Sequence, residues 1–594
     1  MSVQAKRYPL PLAPSAVAAL VPCSHGAGCP LGVDAPAIAN AARLGDHPRA
    51  YLIARGPNPF ASSCGHGCHA PCESACRRRY FGAPVAIGAL EAFASGFSVP
   101  ALLAAPEPCT SAHDARSVAG LTGRDPVEAL HAPRSGKRIA IVGAGAAGLA
   151  CAHDLMLLGH SCTVFDDAPE PGGVLTRAIP AFRFPVAAAR GECAAILEMG
   201  VEYHAGYRIQ GTSDLRTLLA GEFDAVFLAL GASAPRDPMF PDQPEHVDVI
   251  DAMRVLAEDV PIDAHTVVAG DGALAIDAAR VALRRAARDG VAGATVQLVL
   301  DAPIERSAIP TELLGATLAE GVQLHSGWIA TRYLTDERSA LTGVEIARPA
   351  ERASKILPCD RLIMAGARAP RATAFAPELA LDERGRIVAD PETLETSMLR
   401  VWAGGACAFG HRSIAHAVAD GKRAAWHIHA TLMRQSVRIA VTSAWVEVDD
   451  WDDTRAARAL EAQRADLTHA PPPADPFSSV SARAGDDMVR EATRCFDCTV
   501  APVVDESCTA CGKCVSACPE GAFTIIPGPP KQLRLDQDVC TRCGLCVQKC
   551  PEGAIAMLRA VWEERLTTQP ALSPLDVGLE LHDATPAGGT PAIS

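Results

Sequence analysis

Two copies of one cysteine pattern near the C-terminus constrain this chain more than any other feature. Both copies read C-x2-C-x2-C-x3-C-P, at residues 508–519 and 540–551. Three closely spaced thiolates of such a run hold one [4Fe–4S] cube, and the fourth, just before proline, reaches the other cube. Zinc sites instead pair C-x2-C units across a long spacer. The pattern predicts two clusters, one held by Cys508, Cys511, Cys514 and Cys550 and the other by Cys540, Cys543, Cys546 and Cys518.

Most of the chain lies outside this ferredoxin-type module. A length of 594 residues predicts about three or four domains. The net charge of −14 argues against nucleic acid or an anionic membrane as a partner. The 22 cysteines include cluster spacings, which favours a cytoplasmic protein over a secreted disulfide scaffold. No uncharged apolar run of about 18 residues is found, so no membrane insertion is expected.

Residues 138–149 read RIAIVGAGAAGL, an apolar strand that runs into a glycine-rich turn and a helix. In this pattern Gly143 makes the tight turn, Gly145 lets a pyrophosphate approach the backbone, and Gly148 lets helix and strand pack closely. Asp166 ends the next strand and can accept hydrogen bonds from a ribose. The segment predicts a βαβ unit that binds a dinucleotide.

A second unit of the same kind begins at residue 266, where the sequence reads TVVAGDGALAIDAAR. Gly270, Gly272 and Ala275 occupy the three small-residue positions, and Asp301 ends the following strand. A carboxylate there favours a ribose 2′-hydroxyl and repels a 2′-phosphate, so NADH is expected over NADPH. Two units in one chain suggest FAD in one and a nicotinamide coenzyme in the other, with hydride passing between them.

The order of these segments resembles a known family. Between the two units stand GGVL at 172–175 and IPAFR at 179–183, and SIAHAVADG follows at 413–421. With an N-terminal cysteine-rich region, this order resembles the small subunit of glutamate synthase and its relatives. These include the N-terminal half of dihydropyrimidine dehydrogenase and NADH-dependent ferredoxin:NADP oxidoreductases. The resemblance covers about residues 20–435.

The resemblance implies a multidomain fold. It consists of a helical N-terminal Fe–S domain, two α/β Rossmann-like dinucleotide-binding domains with the NAD domain inserted in the FAD domain, and a small α+β ferredoxin domain. The expected bounds are 1–130 for the helical domain, 134–235 and 362–435 for the FAD domain, 236–361 for the NAD(P) domain, 436–499 for a linker and wrapping segment, 500–566 for the ferredoxin domain and 567–594 for a disordered tail. Within the wrapping segment, residues 466–490 are expected to be the linker proper.

The resemblance also implies cofactor contacts. For FAD they are Gly143, Gly145, Gly148, Asp166, Gly173, Leu175, Arg183, Gly231, Gly405, Ala406, Ser413 and Ile414. For the nicotinamide coenzyme they are Gly270, Gly272, Ala275 and Asp301. Three family features differ here. Ala273 replaces an asparagine, and Ala406 replaces an aspartate that meets the flavin ribityl chain. Where relatives that use NADPH carry Tyr-Arg-Arg, this chain has Leu300-Asp301-Ala302, with no arginine to bind a 2′-phosphate.

The N-terminal cysteines predict one further cluster, for about three in all. Relatives with two N-terminal clusters have a denser first group of cysteines than this chain, which favours one cluster over two. By position its ligands are Cys29, Cys68, Cys72 and Glu91, with Cys76 and Cys23 as alternatives. A cluster-free helical domain with idle thiols is the other possibility. Cys495-x2-Cys498 offers two thiols only, for which a structural role is favoured over ligation.

Together these features predict an iron–sulfur flavoprotein oxidoreductase. NADH would give hydride to FAD, and single electrons would pass through [4Fe–4S] clusters to a partner redox protein or catalytic subunit, or in reverse. The chain would then be a cytoplasmic subunit of a hetero-oligomeric complex. The alternative is a non-catalytic electron conduit or assembly subunit with a degenerate nicotinamide site.

Overall fold

The computed structural model describes residues 7–8, 20–24, 28–96, 134–232, 234–235, 240, 246–304, 309, 311–348, 351–448, 454–462 and 485–570. In these ranges, no helix has both the length and the apolar surface that crossing a bilayer requires. The elements form a helical N-terminal part, a parallel sheet into whose chain a second parallel sheet is inserted, and an antiparallel sheet that joins the two ends of the described chain.

Short helices build the N-terminal part. The first two begin with an aspartate cap and a proline in the first turn: Asp34 accepts from the Ala37 amide at 3.0 Å, and Asp46 accepts from the Arg49 amide at 3.2 Å. Asp satisfies a free amide at a helix start, and Pro has no amide to satisfy. The elements are β1 (Arg7–Tyr8), α1 (Ala35–Arg43), α2 (His47–Arg55), α3 (Ala61–Gly67), α4 (Pro71–Ser74), the 3-10 helix Arg77–Phe81 and α5 (Ile87–Ala94).

A five-stranded parallel sheet follows. Its central strands, Arg138–Val142 and Ala225–Leu228, are apolar and almost wholly buried, as parallel strands covered by helices on both faces require. In spatial order they are β16 (Val401–Ala403), β5 (Ala225–Leu228), β2 (Arg138–Val142), β3 (Ser161–Asp166) and β4 (Glu202–Ala205). Its helices are α6 (Ala146–Leu157), α7 (Val174–Arg177), α8 (Val186–Glu198), α9 (Thr212–Gly221), α13 (Ala406–Phe409) and α14 (Ile414–Met433), with the 3-10 helix Thr373–Phe375.

A second parallel sheet is built from the chain between β5 and β16. In spatial order its strands are β10 (Gln323–Ser326), β9 (Thr295–Leu300), β8 (His265–Gly270), β14 (Arg361–Ala365) and β7 (Val249–Asp251). An antiparallel meander of β11 (Ile329–Thr335), β12 (Leu341–Arg348) and β13 (Ala353–Pro358) follows β10 along the chain. The helices are α10 (Ala252–Ala257), α11 (Gly272–Arg288) and α12 (Thr311–Ala319). Between the two sheets, β6 (Ala234–Pro235) pairs with β15 (Arg368–Ala369).

The C-terminal part closes back onto the N-terminal part. Strands β17 (Gln435–Glu447), β18 (Val500–Val504) and β21 (Ile555–Pro570) form an antiparallel sheet with β1, in the order β1-β17-β21-β18. The remaining elements are α15 (Arg455–Glu461), α16 (Gly485–Thr493), α17 (Lys513–Ala517), β19 (Phe523–Ile526), β20 (Gln532–Leu535) and α18 (Leu545–Lys549). Met488, Phe496 and Leu558 share one buried core with Ile38 and Leu90 of the N-terminal helices.

The structure differs from the sequence expectation at residues 362–365, 485–490 and 567–570. Residues 361–365 form a central strand of the second sheet, although the first unit was expected to resume at 362; β14 pairs there with both β8 and β7. Residues 435–447, at the start of the expected linker and wrapping segment, form a strand, because β21 supplies them with a partner along their whole length. Residues 485–490 of the expected linker are helical, and 567–570 of the expected tail extend β21. The rest of that linker and tail lies outside the described residues.

Candidate functional site: a dinucleotide cavity beside buried thiols

A cavity of about 490 Å³ opens at the carboxyl edge of the first sheet. Its walls come from both chain segments that build this sheet, before and after the second one. Among the predicted FAD contacts, those on the wall are Gly143, Gly145, Asp166, Gly173, Leu175, Gly231, Gly405, Ala406, Ser413 and Ile414. This is the place where open α/β sheets bind ligands, outside the carboxyl ends of the strands.

The three glycines of the first turn are needed for different reasons. A Cβ on Gly143 would lie 2.2 Å from the Ala229 carbonyl oxygen, and one on Gly148 would lie 1.9 Å from the Gly143 oxygen. Both glycines are therefore required by packing of the backbone. Gly145 is different, because its φ is −79° and a Cβ there would meet no protein atom within 4 Å. Its bare backbone at the start of α6 leaves a cradle for a phosphate group, which fits a dinucleotide.

Asp166 stands at the end of β3 with its carboxylate held in place. One oxygen accepts from the Ala144 amide at 2.6 Å and the other from the Ala168 amide at 2.8 Å. Each carboxylate oxygen retains a second lone pair that can accept from a ribose hydroxyl. The backbone therefore orients this acid toward the cavity before any ligand binds.

Two residues behave differently from the sequence expectation. Arg183 does not line the cavity; its guanidinium pairs with buried Asp277 of α11 at 2.6 Å and so joins the two parallel-sheet units. Asp420, which sequence reasoning did not select, lines the cavity and accepts from the Gly405 amide at 3.0 Å. It also pairs with Arg412 and Arg423. The sequence could have indicated Asp420, because it is the only acidic residue of the family-like segment 413–421.

The second dinucleotide turn carries two acids. Gly270 is required by packing, since a Cβ there would lie 2.2 Å from the Ala365 carbonyl oxygen, and Ala275 is fully buried. Asp271 caps α11 by accepting from the Gly272 amide at 2.8 Å. Burial, and then the charge of Asp271, raise the pKa of Asp301 to about 6. The two acids thus lie close enough to interact, and Asp271 stands at the helix start where a pyrophosphate would bind.

A small cavity in the N-terminal part is lined by four thiols and one acid, namely Cys29, Cys64, Cys68, Cys72 and Glu91. The expected ligands Cys29, Cys68, Cys72 and Glu91 are therefore brought together, and Cys64 joins them. Burial raises the pKa of Glu91 to about 8, and the Asn58 amide donates to it at 3.4 Å. Thiols and a carboxyl around one cavity are a donor set that an Fe–S cluster accepts.

This thiol cavity adjoins the dinucleotide cavity. Ser413, on the wall of the dinucleotide cavity, lies beside Cys68 of the thiol cavity. Ala415, two residues further, lines the thiol cavity. The two cavities therefore meet at the N-terminus of α14.

A second thiol cavity is lined by Cys23 and Cys76 together with Cys495 and Cys498. Sequence reasoning took Cys23 and Cys76 as alternative ligands of the first cavity, and the structure places them apart from it. They meet the C-x2-C pair because α16 packs against α1 and α5 and carries the following residues with it.

In the C-terminal module, seven of the eight predicted ligands lie near members of their expected group. Cys546 lies in the electrostatic field of Cys540, Cys543 and Cys518, and Cys518 comes from the other cysteine run. Cys514 lies in the field of Cys508 and Cys511. Throughout the described ranges, no three His, Cys, Asp or Glu side chains converge closely enough for a single metal ion. A cube, in contrast, takes one thiolate at each of four separated corners.

Three family models match the chain. Residues 137–421 match the pyridine nucleotide-disulphide oxidoreductase model, residues 501–557 the 4Fe-4S dicluster domain, and residues 20–100 the dihydropyrimidine dehydrogenase domain II, 4Fe-4S cluster. The chain therefore carries a pyridine nucleotide-disulphide oxidoreductase region between two 4Fe-4S regions. It is similar to glutamate synthase small chains, dihydropyrimidine dehydrogenase PreT subunits and formate dehydrogenase beta subunits.

Three relatives illustrate the range. NADP(+)-dependent formate dehydrogenase subunit beta of Moorella thermoacetica is 31% identical, over 71% of this chain and 61% of the relative. NADPH-Fe(3+) oxidoreductase subunit beta of Geobacter sulfurreducens is 33% identical, over 54% of this chain and 45% of the relative. The NAD-dependent dihydropyrimidine dehydrogenase subunit PreT homolog of Salmonella typhi is 25% identical, over 69% and 90%. The chain thus spans less than two thirds of the first two relatives, and both nicotinamide coenzymes occur in these names.

Proposed function

We propose that this chain oxidises NADH and delivers the electrons singly, through about three [4Fe–4S] clusters, to a partner redox protein or catalytic subunit. The observation that carries the proposal is the junction at Ser413, where the dinucleotide cavity and the first thiol cavity share one helix start. FAD supplies the conversion of hydride into single electrons when it is bound. Relatives named as subunits support a multi-subunit assembly.

The chain's own residues would hold the cofactors as follows. The start of α6 at Gly145 directs backbone amides at the pyrophosphate, and Asp166 accepts from the ribose. Asp420 fixes the Gly405 loop, so that this part of the cavity keeps its shape. The electron route would then run from the first thiol cavity, in the N-terminal part, to the C-terminal module. The exposed Cys511 of that module suits contact with a partner.

The second dinucleotide site is expected to prefer NADH over NADPH by about tenfold or more. Asp301 repels a 2′-phosphate, and a penalty on the scale of one pKa unit is worth about 1.4 kcal/mol. Steady-state rates with the two coenzymes measure this preference, and Asp301→Arg should narrow it. Equal or better use of NADPH by the unaltered chain would contradict the assignment.

This preference should also depend on pH. Since the pKa of Asp301 is raised to about 6, its carboxylate is charged above that pH and becomes neutral below it. The repulsion of NADPH therefore weakens as the pH falls, and the ratio of the two KM values should approach one. The 2′-phosphate itself titrates near about pH 6. Asp301→Asn separates the two effects, because only the phosphate's contribution remains in that variant. An unchanged pH profile in Asp301→Asn would show that Asp301 takes no part.

One observation favours the second candidate, an electron conduit whose nicotinamide site no longer works. Asp271 occupies the Gly272 amide at the start of α11, where a pyrophosphate would bind, and adds a like charge. FAD-loaded protein distinguishes the two candidates: loss of flavin absorbance on anaerobic addition of NADH supports the enzyme. If neither NADH nor NADPH reduced the flavin, the result would support the electron conduit instead.

A further inference from the structure

The second thiol cavity is a complete ligand set that the sequence distributes between both ends of the chain. Cys23 precedes the first helix, Cys76 begins the 3-10 helix, and Cys495 and Cys498 follow α16. The cavity between them is otherwise lined mainly by apolar side chains such as Val85 and Ile87. Four sulfur atoms from three separate segments therefore converge in a dry part of the protein.

The four thiols lie close enough to interact: Cys76, Cys498 and Cys495 all act electrostatically on the buried Cys23. A [4Fe–4S] cube takes one thiolate at each of four separated corners, and the four cysteine sulfurs around this one small cavity supply such a set.

Arginines surround this cavity and offset the remaining negative charge that a thiolate-bound cube carries. The buried Arg77 guanidinium donates a hydrogen bond to Cys498 and pairs with Asp538 at 3.0 Å. Arg78 also lines the cavity, and the charge of Arg455 lowers the pKa of Cys495 against the stronger effect of burial. Hydrogen bonds and charges near the sulfurs are the means by which proteins stabilise and tune such clusters.

We propose that Cys23, Cys76, Cys495 and Cys498 bind a [4Fe–4S] cluster of their own, in addition to the clusters named above. A single zinc ion does not fit these four cysteines, because in the described part of the chain no three His, Cys, Asp or Glu side chains converge on one point. The chain would then carry about four clusters rather than about three.

The site lies where a link between the N-terminal and C-terminal clusters is needed. Cys72 of the first cavity and Cys76 of the second are one helical turn apart in sequence. On the other side, Arg77 contacts Asp538, and Arg542 donates to the Val500 carbonyl at 3.3 Å. Asp538 and Arg542 flank Cys540 of the C-terminal module. The role as an electron relay rests on the proposed function, whereas cluster binding does not.

Metal and sulfide analysis of the full-length chain, purified without oxygen, tests the proposal. We expect about sixteen iron atoms and about sixteen acid-labile sulfides per chain, and about twelve of each in Cys495→Ser/Cys498→Ser. The matched control Cys193→Ala/Cys359→Ala removes two buried thiols outside both cavities and should keep about sixteen. Quantitative Mössbauer spectra of the same samples should lose about one quarter of their cluster signal only in the serine variant.

Two results would overturn the proposal. One is about twelve iron atoms in both the unaltered chain and the serine variant. The other is a zinc ion per chain that the serine variant loses. Cys23→Ser reaches the same site from the N-terminal part, so a double variant that fails to fold does not end the test. These counts need no NADH, so a chain that fails to oxidise NADH leaves the cluster result intact.

Discussion

Replacing residues 505–554 with an Asn-Gly turn is expected to leave NADH-to-dye activity intact and to reduce electron transfer to the partner to background. These residues carry all eight cysteines of the C-terminal module. Under the proposed function, the flavin cavity and the first thiol cavity remain in the shortened chain. An artificial dye can take electrons there, whereas a protein partner that docks on the C-terminal module cannot.

The register of the antiparallel sheet makes this excision feasible. Val504 of β18 pairs directly with Ile555 of β21, and the Asp505 amide donates to the Ala554 carbonyl at 2.9 Å. The module is therefore an insertion in a hairpin, and Asn-Gly forms the two-residue turn that antiparallel strands prefer. Arg77 loses Asp538 in the shortened chain, but it keeps the Leu20 carbonyl and Cys498 as partners.

A simpler truncation after residue 499 serves as the contrasting variant. It removes β18 and β21, and with them Ala501 and Leu558 of the N-terminal core. Deleting one buried leucine side chain already costs about 2–5 kcal/mol, so this truncation should unfold the N-terminal part. Thermal unfolding, monitored by circular dichroism, distinguishes the two variants. If the hairpin-closed chain still reduced the partner normally, electrons would have to leave near Cys68 and Cys72 instead.

The contrast between the two cysteine-rich ends shows what the sequence can reveal. The C-terminal ligand sets follow from spacing, because the rule that the fourth thiolate reaches the other cube is local to the motif. The structure accordingly brings Cys518 to Cys540, Cys543 and Cys546. The pairing of Cys495 and Cys498 with Cys23 and Cys76 could not be foreseen, because it depends on tertiary packing between distant parts of the chain.

The dinucleotide units show the same contrast between features set by local sequence and features set by tertiary packing. Both turns were found from glycine spacing, and their predicted helices and strands are present. The acid at Asp166 was found because its distance from the turn is fixed by the length of one helix and one strand. Arg183 was assigned by family position to the flavin, and the structure pairs it with Asp277 instead. A charged side chain of that length can reach several partners, and sequence position does not choose among them.

Gly145→Ala is expected to give a folded protein that has lost most of its flavin. A methyl group there meets no protein atom within 4 Å, and the φ of −79° suits alanine, so the fold should be unharmed. The methyl group would instead enter the space predicted for the pyrophosphate. Overpacking costs about 1–3 kcal/mol, which corresponds to a rise of roughly five- to 150-fold in the dissociation constant for FAD. Flavin content after gel filtration, together with the thermal midpoint, measures both effects.

Two further glycines provide the controls. Gly148→Ala places a methyl group 1.9 Å from the Gly143 carbonyl oxygen, so this variant should lose stability and flavin together. Gly191 lies at an exposed position of α8, where a methyl group also meets nothing within 4 Å. Gly191→Ala should therefore keep its flavin and gain about 1 kcal/mol from helix propensity. Only a bound ligand explains loss of flavin without loss of fold at Gly145. Full flavin occupancy in Gly145→Ala would therefore mean that the pyrophosphate lies elsewhere than at the start of α6.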